Sequence, residues 1–544
     1  MHWWQTGVVY QVYPRSFQDT NGDGVGDLAG ITRRLPYLAE LGIDAVWLSP
    51  VFVSPMADFG YDIADHTAID PLFGTLADFD ALLERAHELG LKVILDLVPN
   101  HTSNRHPWFV ESRVSRQSAK RDWYIWRNGA PEGGPPNNWL SEFGGSAWQH
   151  DPATDQYYYH AFLREQPDLN WRNADVRRAM HDVMRFWLDR GVDGFRVDVM
   201  WHLAKDEAFR DNPLNPEWRE GQADYRRLLP IYSTDRPEVH AMVRELRAVI
   251  DEYPERVLIG EIYLPVERLV AYYGEALPDG GLSGAHLPFN FALLETPWRA
   301  DAIAALIERY ETALPPGAWP NWVLGNHDRP RIVGRVGEAQ ARVAAMLLLT
   351  LRGTPTLYYG DELGLPQVDI PRAQVRDPWE INVPGLGLGR DGCRTPMPWD
   401  ASPFAGFSDA EPWLPLNPDS AIRNVASQTA DSGSLLSLCR RLIALRGEHP
   451  ALKLGGYRPL GQSGGILAFE RSADGNRLLV ALNLTAADTE LPLDSMDCAG
   501  SVLLGTEPGR EGEAITNRVT LRPNEGLIIC CEGRSIGGAK LRPA

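Results

Sequence analysis

The feature that most narrows what this chain can fold into is an alternation. Short runs rich in β-branched and aromatic residues are separated by longer segments with helical spacing. Strands and helices that take turns in this way mark βα units around a parallel sheet. Eight runs can be placed: Val8 to Tyr13, Ala45 to Pro50, Lys92 to Val98, Gly194 to Val199, Val257 to Tyr263, Pro288 to Phe291, Trp322 to Asp328 and Thr354 to Asp361. Between them, Leu28, Ile31, Leu35, Leu38 and Leu41, and later Val239, Met242, Val243, Leu246, Val249 and Ile250, form the one-sided apolar stripes with which helices cover a sheet. Thr75 with Asp78, just ahead of Phe79 and Leu82, predicts a capped helix start, with Asp in place of the usual Glu or Gln. The expectation is an α/β chain built on a (β/α)8 TIM barrel over residues 1–100 and 172–452. Residues 101–171 are aromatic and rich in Pro and Gly. They are too many for a βα loop and predict a small domain inserted after the third strand. From residue 453 to 533, short strands between turns predict an all-β C-terminal domain, and 534–544, without periodicity, a frayed tail.

Composition bounds the partners. With 72 acidic against 53 basic residues the net charge is −19, which argues against nucleic acid or an anionic membrane and fits a neutral small molecule. The five cysteines are an odd number without a C-x-x-C pair, so neither a disulfide framework nor a zinc site is expected. Met1-His2-Trp3-Trp4 has no basic or long apolar leader, and no stretch approaches the roughly 18 apolar residues of a membrane span. A cytoplasmic location is the expectation; the oligomeric state is not readable.

Carboxylates close several of the runs, at the strand ends where barrel enzymes keep their catalytic groups. Asp198 ends Gly194-Phe195-Arg196-Val197-Asp198, Glu261 ends Leu258-Ile259-Gly260-Glu261, and Asp328 ends Gly325-Asn326-His327-Asp328. A charge within an apolar run is expensive unless paired or functional. Arg196 lies two positions before Asp198 and so points into the same mouth. Two carboxylic acids on facing strands are what glycoside cleavage requires, and a separation of about 5–5.5 Å gives retention of configuration. Arg196 is expected to keep Asp198 ionised, while burial and neighbouring anions raise Glu261 enough to hold a proton. Separately, Asp19-Thr20-Asn21-Gly22-Asp23-Gly24-Val25-Gly26-Asp27 offers oxygens at alternate positions, as at the start of an EF-hand loop, but without the glutamate at position twelve. A plain Asp/Gly turn is the alternative.

Gln11-Val12-Tyr13-Pro14-Arg15-Ser16-Phe17, Asp96-Leu97-Val98-Pro99-Asn100-His101, the three carboxylate runs, and Arg390-Asp391-Gly392-Cys393-Arg394-Thr395-Pro396-Met397-Pro398-Trp399 occur in the order of the motifs of the α-amylase superfamily, glycoside hydrolase family 13. The chain resembles that family from about Trp3 to Trp413, and more narrowly its α-glucosidase and oligo-1,6-glucosidase branch. The resemblance implies an exo-acting retaining α-glucosidase acting on short α-glucosides, with hydroxyl acceptors able to compete with water for the glucosyl group. It assigns Asp198 as nucleophile, Glu261 as acid/base and Asp328 as the carboxylate that grips the 2- and 3-hydroxyls. His101 and His327 would hold the same glucose, Tyr61 would stack on its face, and Asp58 with Arg390 would close the pocket over its far hydroxyls. Phe143, Phe162 and Gln166 would line the entrance. The resemblance also implies a structural Ca²⁺, or Mg²⁺, on Asp19, Asn21, Asp23, Asp27 and the Val25 carbonyl.

Clues to linkage point both ways. Val199, after the nucleophile, resembles α-1,6-acting members, whereas Asp58-Phe59-Gly60-Tyr61 and the Gly392-Cys393 insert resemble enzymes of short α-1,4 substrates. A dedicated transferase or a sucrose or maltose isomerase on the same scaffold is the enzymatic alternative. The other is a binding protein like the transporter heavy chains, which lose catalytic carboxylates; all three are present here.

Overall fold

Parity along the strands explains how the fold positions its charges. In this computed structural model, which describes residues 1–278, 280–493 and 498–532, the barrel strands are β1 Val9–Val12, β2 Ala45–Leu48, β3 Lys92–Leu97, β4 Gly194–Val197, β5 Val257–Gly260, β6 Leu287–Pro288, β7 Asn321–Val323 and β8 Thr354–Tyr358. All pairings are parallel, in the order β6-β5-β4-β3-β2-β1-β8-β7. At the seam between β6 and β7 the Asn290 N–H donates to Asn321 Oδ1 at 2.9 Å. Val9, Ala45, Trp47, Ile94, Val257, Ile259 and Val323 pack together in one cluster, while Tyr10, Val46, Val93, Leu95, Phe195, Val197 and Leu258 join the large core with the helices. Side chains alternate across a strand, so Asp96, Arg196, Asp198 and Glu261 fall on the inward parity.

Local chemistry starts and stops the covering helices. Asp27 caps Leu28–Leu41 by accepting from Gly30 N at 2.7 Å, and Gly42, at φ 92°, ends it in the left-handed region that glycine adopts without strain. Thr75 and Asp78 form the reciprocal box at the head of Leu76–Glu88, with Thr75 N donating to Asp78 Oδ2 at 2.8 Å. Asn173 caps Ala174–Asp189.

Between β3 and that helix, Trp126–Arg127, Gln156–Tyr159 and Trp148–Asp151 form a three-stranded antiparallel sheet. At the C-terminal end, strands 456–463, 466–473, 476–483, 526–532, 499–505 and 514–515 make an antiparallel sheet in that order. Its Leu467, Phe469, Leu478, Val480 and Ile528 join the main core, and Ile466, Ala468, Leu479, Leu527 and Ile529 form a second cluster on the other face. The residues 534–544 expected to fray lie outside the described residues.

One expectation is corrected: Cys498 and Cys531 form a disulfide, with Cα atoms 5.0 Å apart. The reason is non-local. Antiparallel pairing sets Gly500 opposite Cys531 and brings together two cysteines 33 residues apart, which an odd count with wide spacing conceals. Among the described residues, no helix is long and apolar enough to cross a membrane.

Candidate active site

The ends of β3, β4 and β5 deliver Asp96, Arg196, Asp198 and Glu261 to one place, where Arg196 is their shared cation. Its Nη1 donates to Asp96 Oδ1 at 2.7 Å and to Asp198 Oδ1 at 2.9 Å, while Nη2 lies 2.7 Å from Glu261 Oε2. The expectation that Arg196 serves Asp198 is thereby widened, because one guanidinium is divided among three carboxylates. Burial, with Glu261 and Asp96 adding, lifts Asp198 well above the carboxylate range, and Arg196 offsets only part of it. Burial raises Glu261 too, against Arg196 and the Val199 N–H that donates to Oε2 at 2.8 Å. Asp198 and Glu261 are also in hydrogen-bond contact, and the charge of Glu261 adds to the upward push on Asp198. Donation from Arg196 Nη1 favours the anion on Asp198, as donation from the Val199 N–H does on Glu261. Val199, whose N–H ties β4 to Glu261, has φ 38°, a strained conformation for a β-branched residue.

Asp328 behaves in the opposite way. Burial, which raises a carboxyl, is outweighed by His327, Arg390 and Arg394, and Asp328 is held well below its ordinary range. Because burial keeps His327 neutral, the lasting charge comes from the guanidiniums, with Arg394 Nη2 at 3.0 Å and Arg390 Nη1 at 3.2 Å from Asp328 Oδ1. Gln11 Nε2 lies 2.8 Å from His327 Nδ1, which places the imidazole proton on Nε2, 3.2 Å from Asp328 Oδ2.

Around these groups runs a cavity of about 740 Å³. Asp58, Tyr61, His101, Phe143, Phe162 and Gln166 line it, as do His327 and Arg390, whereas Arg196 is fully buried and reaches the cavity only through the carboxyls it holds. Arg390 Nη2 reaches Asp58 Oδ1 at 2.6 Å, and Gln166 Nε2 donates to Asp58 Oδ2 at 3.3 Å, closing one end. Tyr61 already stacks on His327, with rings 5.2 Å apart and parallel to 4°, and donates its hydroxyl to Asp96 at 2.9 Å. Phe143 packs on Trp379 and under the Arg390 guanidinium.

Several members of the site are absent from the sequence reading. Asp377, fully buried on the loop after β8, accepts from Arg390 N at 2.6 Å and Nη2 at 2.7 Å, and Arg394 shares Asp328. Arg394 stood in a quoted motif and was available; Asp377 had no signal of its own. Glu142, His202, Tyr225 and Arg329 also line the cavity. Burial, with Glu261 and Asp328 adding and Arg329 opposing, pushes Glu142 up to about 7.

The loop 19–27 lies apart from this cavity. Asp19 Oδ1 accepts from Asn21 N, Asn21 Oδ1 from Asp23 N and Asp23 Oδ1 from Val25 N, at 2.9, 2.9 and 2.8 Å, and Asp27 Oδ2 accepts from Thr20 N at 2.8 Å. Among the described residues no three His, Cys, Asp or Glu side chains are gathered closely enough to hold a metal ion. The donor set consists of hard oxygens suited to Ca²⁺ or Mg²⁺, but Asp19 Oδ1 accepts a second bond from Gly22 N and Asp27 Oδ2 a second from Thr20 Oγ1, each at 2.9 Å, so of these oxygens only those of Asn21 and Asp23 keep a free lone pair.

Residues 11–455 match the α-amylase catalytic-domain family. The chain belongs to the α-amylase family. Among its relatives is a probable α-glucosidase of Rhizobium meliloti (strain 1021), 46% identical over 513 residues that cover 91% of this chain and 92% of the relative. An oligo-1,6-glucosidase of Halalkalibacterium halodurans is 37% identical, covering 97% and 98%. The crystal structure of an α-glucosyl transfer enzyme, XgtA, superposes with TM-score 0.91 at 42% identity over 98% of this chain and all of the other. The trehalulose synthase MutB, in complex with Tris, superposes at 0.89 with 34% identity, covering 97% and 100%. For an α-amylase family member, the shared guanidinium under Asp198 and Glu261 and the arginine-held Asp328 are the chemically decisive features.

Proposed function

We propose that the protein is an exo-acting retaining α-glucosidase that releases or transfers glucose from the non-reducing end of short α-glucosides. The observation that carries this is the Asp198–Glu261 pair, in hydrogen-bond contact over the Arg196 guanidinium that both touch, beside an end closed by Arg390 and Asp58. Carboxyls so close suit a nucleophile and an acid/base on one sugar, with no space for the water of an inverting enzyme. Asp198 attacks the anomeric carbon as Glu261 protonates the departing oxygen. Glu261 then takes the proton of water or of an acceptor hydroxyl, and attack by that oxygen frees Asp198. Asp328, kept anionic, accepts from the ring hydroxyls as positive charge develops. His101, His327 and Tyr61 hold the ring. Arg390 and Asp58 bind its far hydroxyls, limiting the closed end to one glucose, and Phe143, Phe162 and Gln166 border the way in.

A ¹H NMR time course with maltose, isomaltose and p-nitrophenyl α-glucoside, run beside Asp198→Asn, tests this reading. Early α-glucose that the variant abolishes supports it and ranks the linkages; initial β-glucose refutes it. The names of the structural neighbours favour glucosyl transfer as a companion activity, and maltose with excess hydroquinone yielding glucose alone would exclude it. The loop of Asp19, Asn21, Asp23, Val25 and Asp27 is proposed to hold a structural Ca²⁺ or Mg²⁺. A melting temperature unmoved by chelator and by re-addition of either ion removes that part. The proposed location is cytoplasmic, against which the Cys498–Cys531 bridge weighs; fractionation with thiol titration decides it.

A further inference from the structure

Burial of the charged side chains falls off from one side of the cavity to the other. Side-chain exposure is 6% at Arg390 and 7% at Asp58, and it rises to 25% at Arg329, 30% at Glu142 and 63% at Glu295. The last three mark the mouth, on the side where the leaving group departs and an acceptor arrives.

Among the described residues, two polar side chains on this wall have no hydrogen-bond partner. The Glu142 loop is pinned by its backbone, with Glu142 N donating to Ala161 O at 2.9 Å and Ser141 Oγ donating to Phe162 O at 2.5 Å. Its carboxyl nevertheless accepts no hydrogen bond, and its nearest ionic contact is His202 Nε2 at 3.6 Å. His202 is 4% exposed, wedged against Trp201 and Phe162, and neither ring nitrogen has a hydrogen-bond partner. A buried imidazole left without a partner is expensive, whereas the partly exposed Glu142 carboxyl can exchange water for a ligand hydroxyl. Burial, with Lys205 adding, pushes the imidazole well below its ordinary range, so it is neutral and presents one donor and one acceptor. Arg329 and Arg226 face Glu142 as counter-charges, and Glu261 and Asp328 as like charges.

From this arrangement we infer that Glu142 and His202 select the leaving group and the acceptor, favouring a sugar or polyol that presents adjacent hydroxyls over a plain alcohol. The inference rests on the α-glucosidase reading and names the class of group that its outer site takes. Glu142 accepts from one hydroxyl, and His202 bonds the next.

The test compares kcat/KM for maltose with that for n-propyl α-glucoside in wild type, Glu142→Ala and His202→Phe. Both leaving groups need protonation by Glu261, but only maltose offers neighbouring hydroxyls. The ratio also cancels any loss of folded enzyme. Each variant is expected to lower the maltose-to-propyl ratio about tenfold or more, the range for a hydrogen bond to a charged or buried group. From the acceptor side, the ratio of glyceryl to propyl glucoside formed from p-nitrophenyl α-glucoside should fall in parallel. Ratios within threefold of wild type in both measurements would overturn the inference. A wild-type enzyme that cleaves no glucoside would instead overturn the reading beneath it.

Discussion

Asp377→Asn probes the least visible part of the site. Asp377 spreads two oxygens under Arg390: Oδ1 accepts from Nη2 at 2.7 Å and Nε at 3.1 Å, while Oδ2 accepts from the backbone N at 2.6 Å and Nε at 3.2 Å. Asparagine keeps one acceptor and turns an NH2 toward the other donors. Arg390 retains Asp58 and Asp328, so its charge is not orphaned, which keeps the effect below the full cost of breaking a buried pair. One charge-assisted bond lost and one donor left facing a donor amount to about 3–4 kcal/mol. At about 1.4 kcal/mol per decade, that is a loss of two to three orders of magnitude in kcat/KM if it falls on the aim of Arg390 at the sugar. Steady-state kinetics on maltose, beside a melting curve, separates misaiming from unfolding. A variant within threefold of wild type in kcat/KM, with an unchanged melting temperature, would refute the claim that Asp377 holds the clamp.

Three further outcomes follow from the charges and the bridge. The pH profile of kcat/KM should be bell-shaped, because turnover needs one proton on the Asp198–Glu261 pair. Activity falls at low pH as a second proton binds, and at high pH as the last one leaves, through a Glu261 value raised by burial. An alkaline limb in the ordinary glutamate range, near pH ~4.3, would contradict this. Asp361 is pushed up to about 7 by burial, with Glu362 adding and Arg331 opposing. Its folded value lies above its unfolded one, so its contribution is whole at low pH and is lost as pH rises through about 7. Asp361→Asn should therefore flatten the fall in melting temperature between pH ~4 and ~7, an effect of at most about 4 kcal/mol. Cys498→Ser should destabilise the C-terminal sheet by about 3 kcal/mol while leaving KM for maltose unchanged, and hydrogen exchange localised to strands 499–505 and 526–532 is the check.

Much of the candidate site was legible because it is written in strand parity. Arg196 and Asp198 share the inward side of β4 with Asp96 on β3, and Glu261 continues the inward side of β5. The illegible residues are those whose partners lie across loops. Asp377 meets Arg390 from 13 residues away on an irregular segment without periodicity, and Glu142 meets His202 from a different part of the chain altogether. A lone Asp in a loop or a His after a strand carries no pattern of its own.

By itself, the sequence determined the alternation of strand and helix, the inward parity of the charges and the helix caps, because each depends on residues a few positions apart. Tertiary structure decided what those charges do. It gave Arg196 three carboxylates in place of one, raised Asp198 along with Glu261, drove Asp328 down with two arginines from a distant loop, and paired two cysteines that their spacing hid. Protonation depends on burial and on every charge within a few ångströms, and both exist only once distant segments have packed.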